Sequence, residues 1–233
     1  MRVAAGVPVR DAAARLRVTP SRVRAMIRAN ILDAEKVGDR WLVDPSGLDR
    51  RSLAKAPAGR ALKASNAWAV LLLASGADDR SASWLKRLSP WALFRIRSRL
   101  KREGIRSLAP RLRGRATVHR FRAHPSDLAG IAQEPGIVRA GASVASDYHI
   151  DISDPGTIEA YVSEKQVPQL KKKYFLELSS TPNVILHVVD GPWPFLPSAK
   201  VVPVAVAALD LIESGEERSH RAGEELLARL ESR

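Results

Sequence analysis

Apolar positions recur along this chain at spacings that change several times. Val9, Ala12, Ala13 and Leu16 lie three or four apart and predict a short helix ending near Val18. Thr19 then has the character of an N-cap, with Pro20 at the first helical position of a second helix that runs to about Ala29. Val23, Met26 and Ile27 form its apolar stripe. At roughly 100° per residue, the opposite face carries Ser21, Ala25 and Arg28, flanked by Arg22 and Arg24. Two helices separated by so short a break have the spacing of a helix-turn-helix. Next, ILDAEKV and RWLVD flank Gly38-Asp39 and predict a hairpin that presents Lys36 and Arg40 near its tip. Trp41 and Val43 alternate toward the helices, and Asp44-Pro45 reads as the cap and first turn of another helix.

Residues 51–65 have no apolar period and predict a flexible basic linker. A helix capped by Asn66 follows, AWAVLLLAS, and stops at Gly76. A short helix around Ser83–Leu88 leads to a third, opened by Ser89-Pro90 and closed by Gly104. Ala92, Leu93, Ile96 and Leu100 share its apolar face. Arg95, Ser98 and Arg102 lie opposite, beside Trp91, with Arg99 and Lys101 flanking. Two strand-like runs, IRSLAPRL and ATVHRFRAH, flank Arg113-Gly114-Arg115 and predict a second basic-tipped hairpin.

Beyond residue 122 the pattern predicts a helix in SDLAGIAQEP and a strand in GIVRAG. Helical turns are expected through TIEAYVSEKQVPQLKKKY, broken at Pro168, and β-rich runs in FLELSS and NVILHVVD. VVPVAVAALDLIESG and EERSHRAGEELLARLESR read as two closing helices. Trp193 and Phe195, in the Pro-rich GPWPFLP, are expected to cover the core.

Charge sharpens this division. The 233 residues carry a formal net charge of +13. Residues 1–60 hold 13 basic and 6 acidic side chains, residues 61–122 hold 15 and 3, and residues 123–233 hold 10 and 16. So uneven a split points the first half at a polyanion, of which nucleic acid is the common one. With 0 Cys there is no disulfide framework, thiolate metal site or cysteine nucleophile. Apolar runs fall far short of the roughly 20 residues of a membrane span, and the first residues lack the apolar stretch of a signal peptide. A cytoplasmic, nucleoid-associated protein is the expectation.

Catalytic motifs are absent: there is no phosphate-binding G-x-x-x-x-G-K-S/T loop, G-x-S-x-G elbow, H-E-x-x-H or G-x-G-x-x-G. Asp147, His149 and Asp151, with Asp154 nearby, would share one face of a strand and could hold a hard cation or supply a base. Set against this is a polar, turn-rich loop with no chemistry, the reading we favour; no cofactor is expected and the chain is not expected to be an enzyme. His119, His124, His187 and His220 stand alone in sequence, and Lys171–Lys173 reads as a solvated helix end.

The first segment resembles the winged helix-turn-helix of excisionase and MerR-type DNA-binding domains. The shared features are an Ala-rich first helix, the V-T-P-x-x-V-R start of the second, and G-D-R-W-L-V closing the hairpin. The resemblance implies that the second helix enters the major groove and the hairpin, or wing, contacts the flank. Thr19, Ser21, Arg22, Arg24, Arg28, Lys36, Arg40, Arg50 and Arg51 would then face DNA. Over most of the chain, A-S-D-Y-H-I-D, E-A-Y-V, Y-F-L, N-V-I-L-H-V-V, V-P-V-A-V-A-A-L-D-L and R-S-H-R-A-G-E-E-L-L resemble the AbiEi-like antitoxin and transcriptional-regulator proteins of actinobacteria. A preference for Arg over Lys, 28 to 10, fits such a GC-rich source. This family resemblance implies an autorepressor whose C-terminal domain acts against a nucleotidyltransferase-like toxin. The N-terminus departs from the family in being more excisionase-like.

The expected fold is therefore α+β. It comprises a winged helix-turn-helix over 1–50, a basic linker over 51–65, a second winged-helix-like module over 66–122 and an acidic mixed α/β domain over 123–233. Arg95, Ser98, Arg99, Arg102, Arg113 and Arg115 would be the DNA-facing residues of the second module. The expected function is a sequence-specific double-stranded-DNA-binding regulator of an antitoxin type, with two open arrangements, a homodimer on a palindrome or a monomer that uses tandem modules. The alternatives are an excisionase-like architectural factor, a metal-dependent DNA-processing enzyme built on Asp147, His149 and Asp151, and a MerR-like ligand sensor. The last is disfavoured because no sustained heptad follows the hairpin.

Overall fold

A computed structural model describes residues 6–16, 18–28, 31–32, 34–45, 61–77, 83–152 and 156–232. The chain divides into two compact units, Met1–Ala58 and Gly59–Arg233. It is a mixed α+β protein with two sheets.

In the first unit, strand β1 (Val7–Pro8) leads directly into α1 (Val9–Leu16). Helix α2 (Pro20–Arg28) follows, and then strands β2 (Ala34–Val37) and β3 (Arg40–Val43). The Ala-rich face of α1 buries Ala12 and Ala13. Small side chains there allow the close approach on which Val23, Met26 and Ile27 of α2 pack, together with Leu32 and Val43. Gly38 sits at φ 60° in the two-residue turn between β2 and β3, a conformation open to glycine at little cost. β3 also pairs antiparallel with β1 on its other edge, Val7 opposite Val43, giving sheet order β1-β3-β2. Two residues of β1 were too short a run to register as a strand in the pattern. The helix expected after Pro45, together with Ala29, Arg50, Arg51 and residues 51–60 of the expected linker, lies outside the described residues.

In the second unit, α3 (Ala64–Ala74) is apolar on nearly all sides and buries Ala67 through Leu72. It begins with Lys63 at the cap position, three residues earlier than Asn66 would have set it. A 3-10 turn at Leu85–Arg87 leads to α4 (Pro90–Leu108), where the Ser89 hydroxyl accepts from the Ala92 N–H at 3.2 Å. Gly104 breaks α4 at φ 71° and ψ 160°, after which Ile105–Leu108 resume helix. The five-stranded sheet has order β5-β6-β8-β4-β7. Its strands are β4 (Thr117–Arg122), β5 (Val138–Arg139), β6 (Ile158–Ser163), β7 (Glu177–Leu178) and β8 (Val184–Val189). β6 and β8 are parallel, and the other pairs are antiparallel.

The sheet has a core on each face, and strand alternation assigns side chains between them. Ile158, Ala160, Val162, Val184, Leu186 and Val188 pack with α5 (Leu128–Gln133) and α6 (Val167–Lys173) through Ile131 and Leu170. Tyr161 and Val189 point the other way, into a larger core with α3, α4, α7 (Val204–Glu213) and α8 (Glu217–Glu231).

Three expectations about this unit are corrected. Residues 66–122 and 123–233 are not separate modules, because α3 and α4 share one core with α7 and α8. Residues 105–111 are helical, so no hairpin forms around Arg113-Gly114-Arg115; β4 instead pairs with β8 and β7. Finally, Ile158–Ser163 is a strand, not a helix. Burial on both faces had removed the alternation that would have marked it, and Pro168 sits in the first turn of α6, where it costs no hydrogen bond.

Candidate nucleic-acid interface

The polar face of α2 follows from its two ends. The Thr19 hydroxyl accepts from the Arg22 N–H at 3.3 Å, and Thr19 carbonyl bonds to Arg22 and Val23 hold the first turn. With Val23, Met26 and Ile27 fixed inward, Ser21, Arg22, Arg24 and Arg28 are exposed, and Ala25 is half-buried between them. Among the described residues no carboxylate pairs with Arg22, Arg24 or Arg28. The only acidic side chain on α1 or α2 is Asp11. Lys36 and Arg40 are exposed beside the hairpin turn. Trp41 packs half-buried against the helices and Val43 is fully buried, which fixes the hairpin to them. The surface can therefore offer several guanidinium groups to acceptors from outside, as bidentate base contacts or as phosphate contacts.

The cations expected to form a second reading face have separate fates. Arg95 is exposed on α4 and Ser98 is half-exposed. Arg99 bonds Glu103 at 3.1 Å and Arg102 bonds it at 3.0 Å, so one carboxylate partly neutralises both. Their hydrogen bonds hold Glu103 below the usual carboxylate range. Arg113 is exposed and lies 3.7 Å from Glu213.

Arg115 is a correction: it is 3% exposed and faces the core. Its Nε donates to Tyr161 Oη at 2.9 Å, and its Nη2 donates to Asp210 Oδ1 at 2.6 Å and Glu213 Oε2 at 2.9 Å. Tyr161 donates in turn to the same Asp210 oxygen at 2.8 Å, and the Trp68 indole N–H donates to the Arg115 carbonyl at 3.1 Å. Burial alone would push the Arg115 pKa down; Tyr161, Glu213 and Asp210 outweigh it and hold it well above its ordinary value. No DNA phosphate can reach this group.

Next to this network, His187 lies 2.7 Å from Glu159 and stacks on Tyr161 with centroids 4.6 Å apart. Burial alone would lower the His187 pKa. The nearby Asp210 charge and the Glu159 hydrogen bond outweigh it and raise the pKa above its ordinary value. Nothing in the residue pattern marked His187 and Arg115 as members of one cluster, because 72 positions separate them.

Asp147, His149 and Asp151 do not share a strand face, which is a further correction. Ser146–Tyr148 is a 3-10 turn, and His149 ends it in the left-handed region at φ 54°. Asp147 is held by Arg139 at 3.1 Å, and Asp151 is exposed. Asp154 lies outside the described residues. No group of three His, Asp or Glu side chains placed to hold a metal ion occurs among the described residues. No helix among them is long and apolar enough to cross a membrane. Phe195 is buried against Trp68 and Tyr161, with Trp193 half-buried on it, so both cover the core.

Compared with known protein families, curated proteins and solved structures, the chain has no match.

Proposed function

We propose that this chain is a sequence-specific double-stranded-DNA-binding regulator whose α2 enters the major groove. The observation that carries the reading is the face of α2. Ser21, Arg22, Arg24 and Arg28 stand exposed with no carboxylate partner among the described residues, above a stripe buried in its own small core. Helix, cap and hairpin together fit a winged helix-turn-helix, with Lys36 and Arg40 on the flanking backbone. The net positive charge of residues 1–60 favours the approach to DNA at long range.

The test is competition binding to the duplex upstream of the chain's own gene, with wild type and Arg28→Ala. Binding that resists excess random duplex and weakens about tenfold or more in Arg28→Ala supports the reading. Equal affinity for any duplex, indifferent to Arg28, overturns it. The resemblance to AbiEi-like regulators extends the proposal to an autorepressing antitoxin in the bacterial cytoplasm, with the second unit contacting a nucleotidyltransferase-like toxin. Co-purification with the product of the adjacent gene tests that extension separately.

A further inference from the structure

Three large aromatic side chains among the described residues of the second unit lie on its surface, Phe175 by itself and two others one helical turn apart. Trp91 is 66% exposed and Phe94 59% exposed, on the first two turns of α4. Their rings stack on each other, with centroids 5.8 Å apart and planes 18° from parallel. Leu93 and Ile96 already supply the buried face of this helix, so packing gives no reason for the pair. Trp91 shares its direction with Arg95, Ser98 and Arg102, which follow at helical spacing over about 16 Å of axis. Between Trp84 and Arg102 the chain has no acidic residue. Arg95 and Lys101 have no carboxylate partner among the described residues, and Lys86 and Arg87 are exposed on the preceding turn.

An occupant of this surface must be anionic and must bring flat apolar faces. Unpaired nucleotides meet both conditions, since bases stack on aromatic rings while their phosphates lie against the cations. A bilayer fits less well, because only two rings project from α4 and the remaining apolar residues of that helix face inward. We infer that the Trp91–Phe94 pair is a stacking platform for unpaired nucleobases, with Arg95 and Lys101 holding the adjacent phosphates. The inference does not depend on α2 reading a duplex.

The experiment measures binding of the full chain to a fluorescein-labelled 15-nucleotide oligothymidylate across a salt series. Wild type, Trp91→Ala/Phe94→Ala, Trp91→Phe, Arg95→Ala and Arg28→Ala are compared. Both aromatic residues are exposed, so melting temperatures should be unchanged and confirm folding. The double aromatic variant should lose about tenfold or more in affinity with its salt slope intact, because stacking releases no counterion. Trp91→Phe should keep most of the affinity. Arg95→Ala should lower the slope by about 0.7. Removing the two rings should cost the same factor in an Arg28→Ala background as in wild type, which separates this site from α2. Absent single-strand binding, or binding unaffected by the double aromatic variant, overturns the inference. So does Trp91- and Phe94-dependent binding to phosphatidylserine vesicles, or self-association, in place of the oligonucleotide.

Discussion

Arg28 and Arg115 carry the same guanidinium, and their surroundings decide opposite uses for it. Arg28 stands on the outer face of α2, exposed and without a carboxylate partner among the described residues. Arg115 lies in the core of the second unit, bonded to Tyr161, Asp210 and Glu213. The first can release counterions and grip an external anion at little desolvation cost. The second is already satisfied and inaccessible. A count of basic residues treats the two alike, so net charge indicates that a polyanion is a plausible partner without saying which cations meet it. Partner carboxylates and burial are the discriminating variables.

The largest effect expected from breaking this contrast is at Arg115. Arg115→Met leaves Asp210, 1% exposed and with one oxygen already unbonded, as an uncompensated charge. We expect a loss of about 3–5 kcal/mol, which lowers the melting temperature by roughly 6–20 °C for a chain of this size. Circular-dichroism melts check this, and an unchanged melting temperature would remove Arg115 from the structural role. Arg28→Ala should do the reverse, leaving the melt within about 0.5 kcal/mol while costing about 1–3 kcal/mol of duplex binding.

Thr19→Ala should be intermediate. It removes the hydroxyl that caps α2 and should cost the first unit about 1 kcal/mol, read from the hydrogen exchange of the α2 amides. A subtler effect is the pH dependence from His187. Its pKa is raised on folding, so its stabilisation is complete below the unfolded value of 6.5 and is lost as pH rises through the folded one. Wild-type stability should therefore fall from pH 6 toward alkaline pH, and His187→Gln should flatten that slope; parallel slopes would contradict the placement of this charge. Smallest of all is Arg113→Ala, where an exposed guanidinium 3.7 Å from the half-buried Glu213 is expected to contribute under about 0.5 kcal/mol.

The first unit was legible because its signals are local. The Thr19-Pro20 cap, the Val23, Met26 and Ile27 stripe and the Gly38-Asp39 turn each act within a few residues, and each forms where the pattern placed it. The second unit was legible only where signals stayed local, as in the Ser89 cap and the two closing helices. Long-range pairing hid the rest. β6 is buried on both faces and lost its alternation. Ile105–Leu108 is β-rich in appearance, yet Ile105 and Leu108 reach the core only as a helix. Arg113 and Arg115 look equivalent in sequence until α7 brings Asp210 and Glu213 beside them. The Trp91–Phe94 pair was half visible: Trp91 fell beside the polar face, while nothing in the pattern marked Phe94 as exposed.

On the proposed reading α2, and not the cations of the Arg113–Arg115 turn, is the duplex-binding surface. The most direct measurement is the salt dependence of full-chain binding to the upstream duplex, for wild type, Arg22→Ala, Arg24→Ala, Arg28→Ala and Arg113→Ala. The α2 variants should bind more weakly, with a slope smaller by about 0.9 for each phosphate contact removed, and Arg113→Ala should behave as wild type. Unchanged affinity and slope in all three α2 variants, or a loss confined to Arg113→Ala, would contradict it.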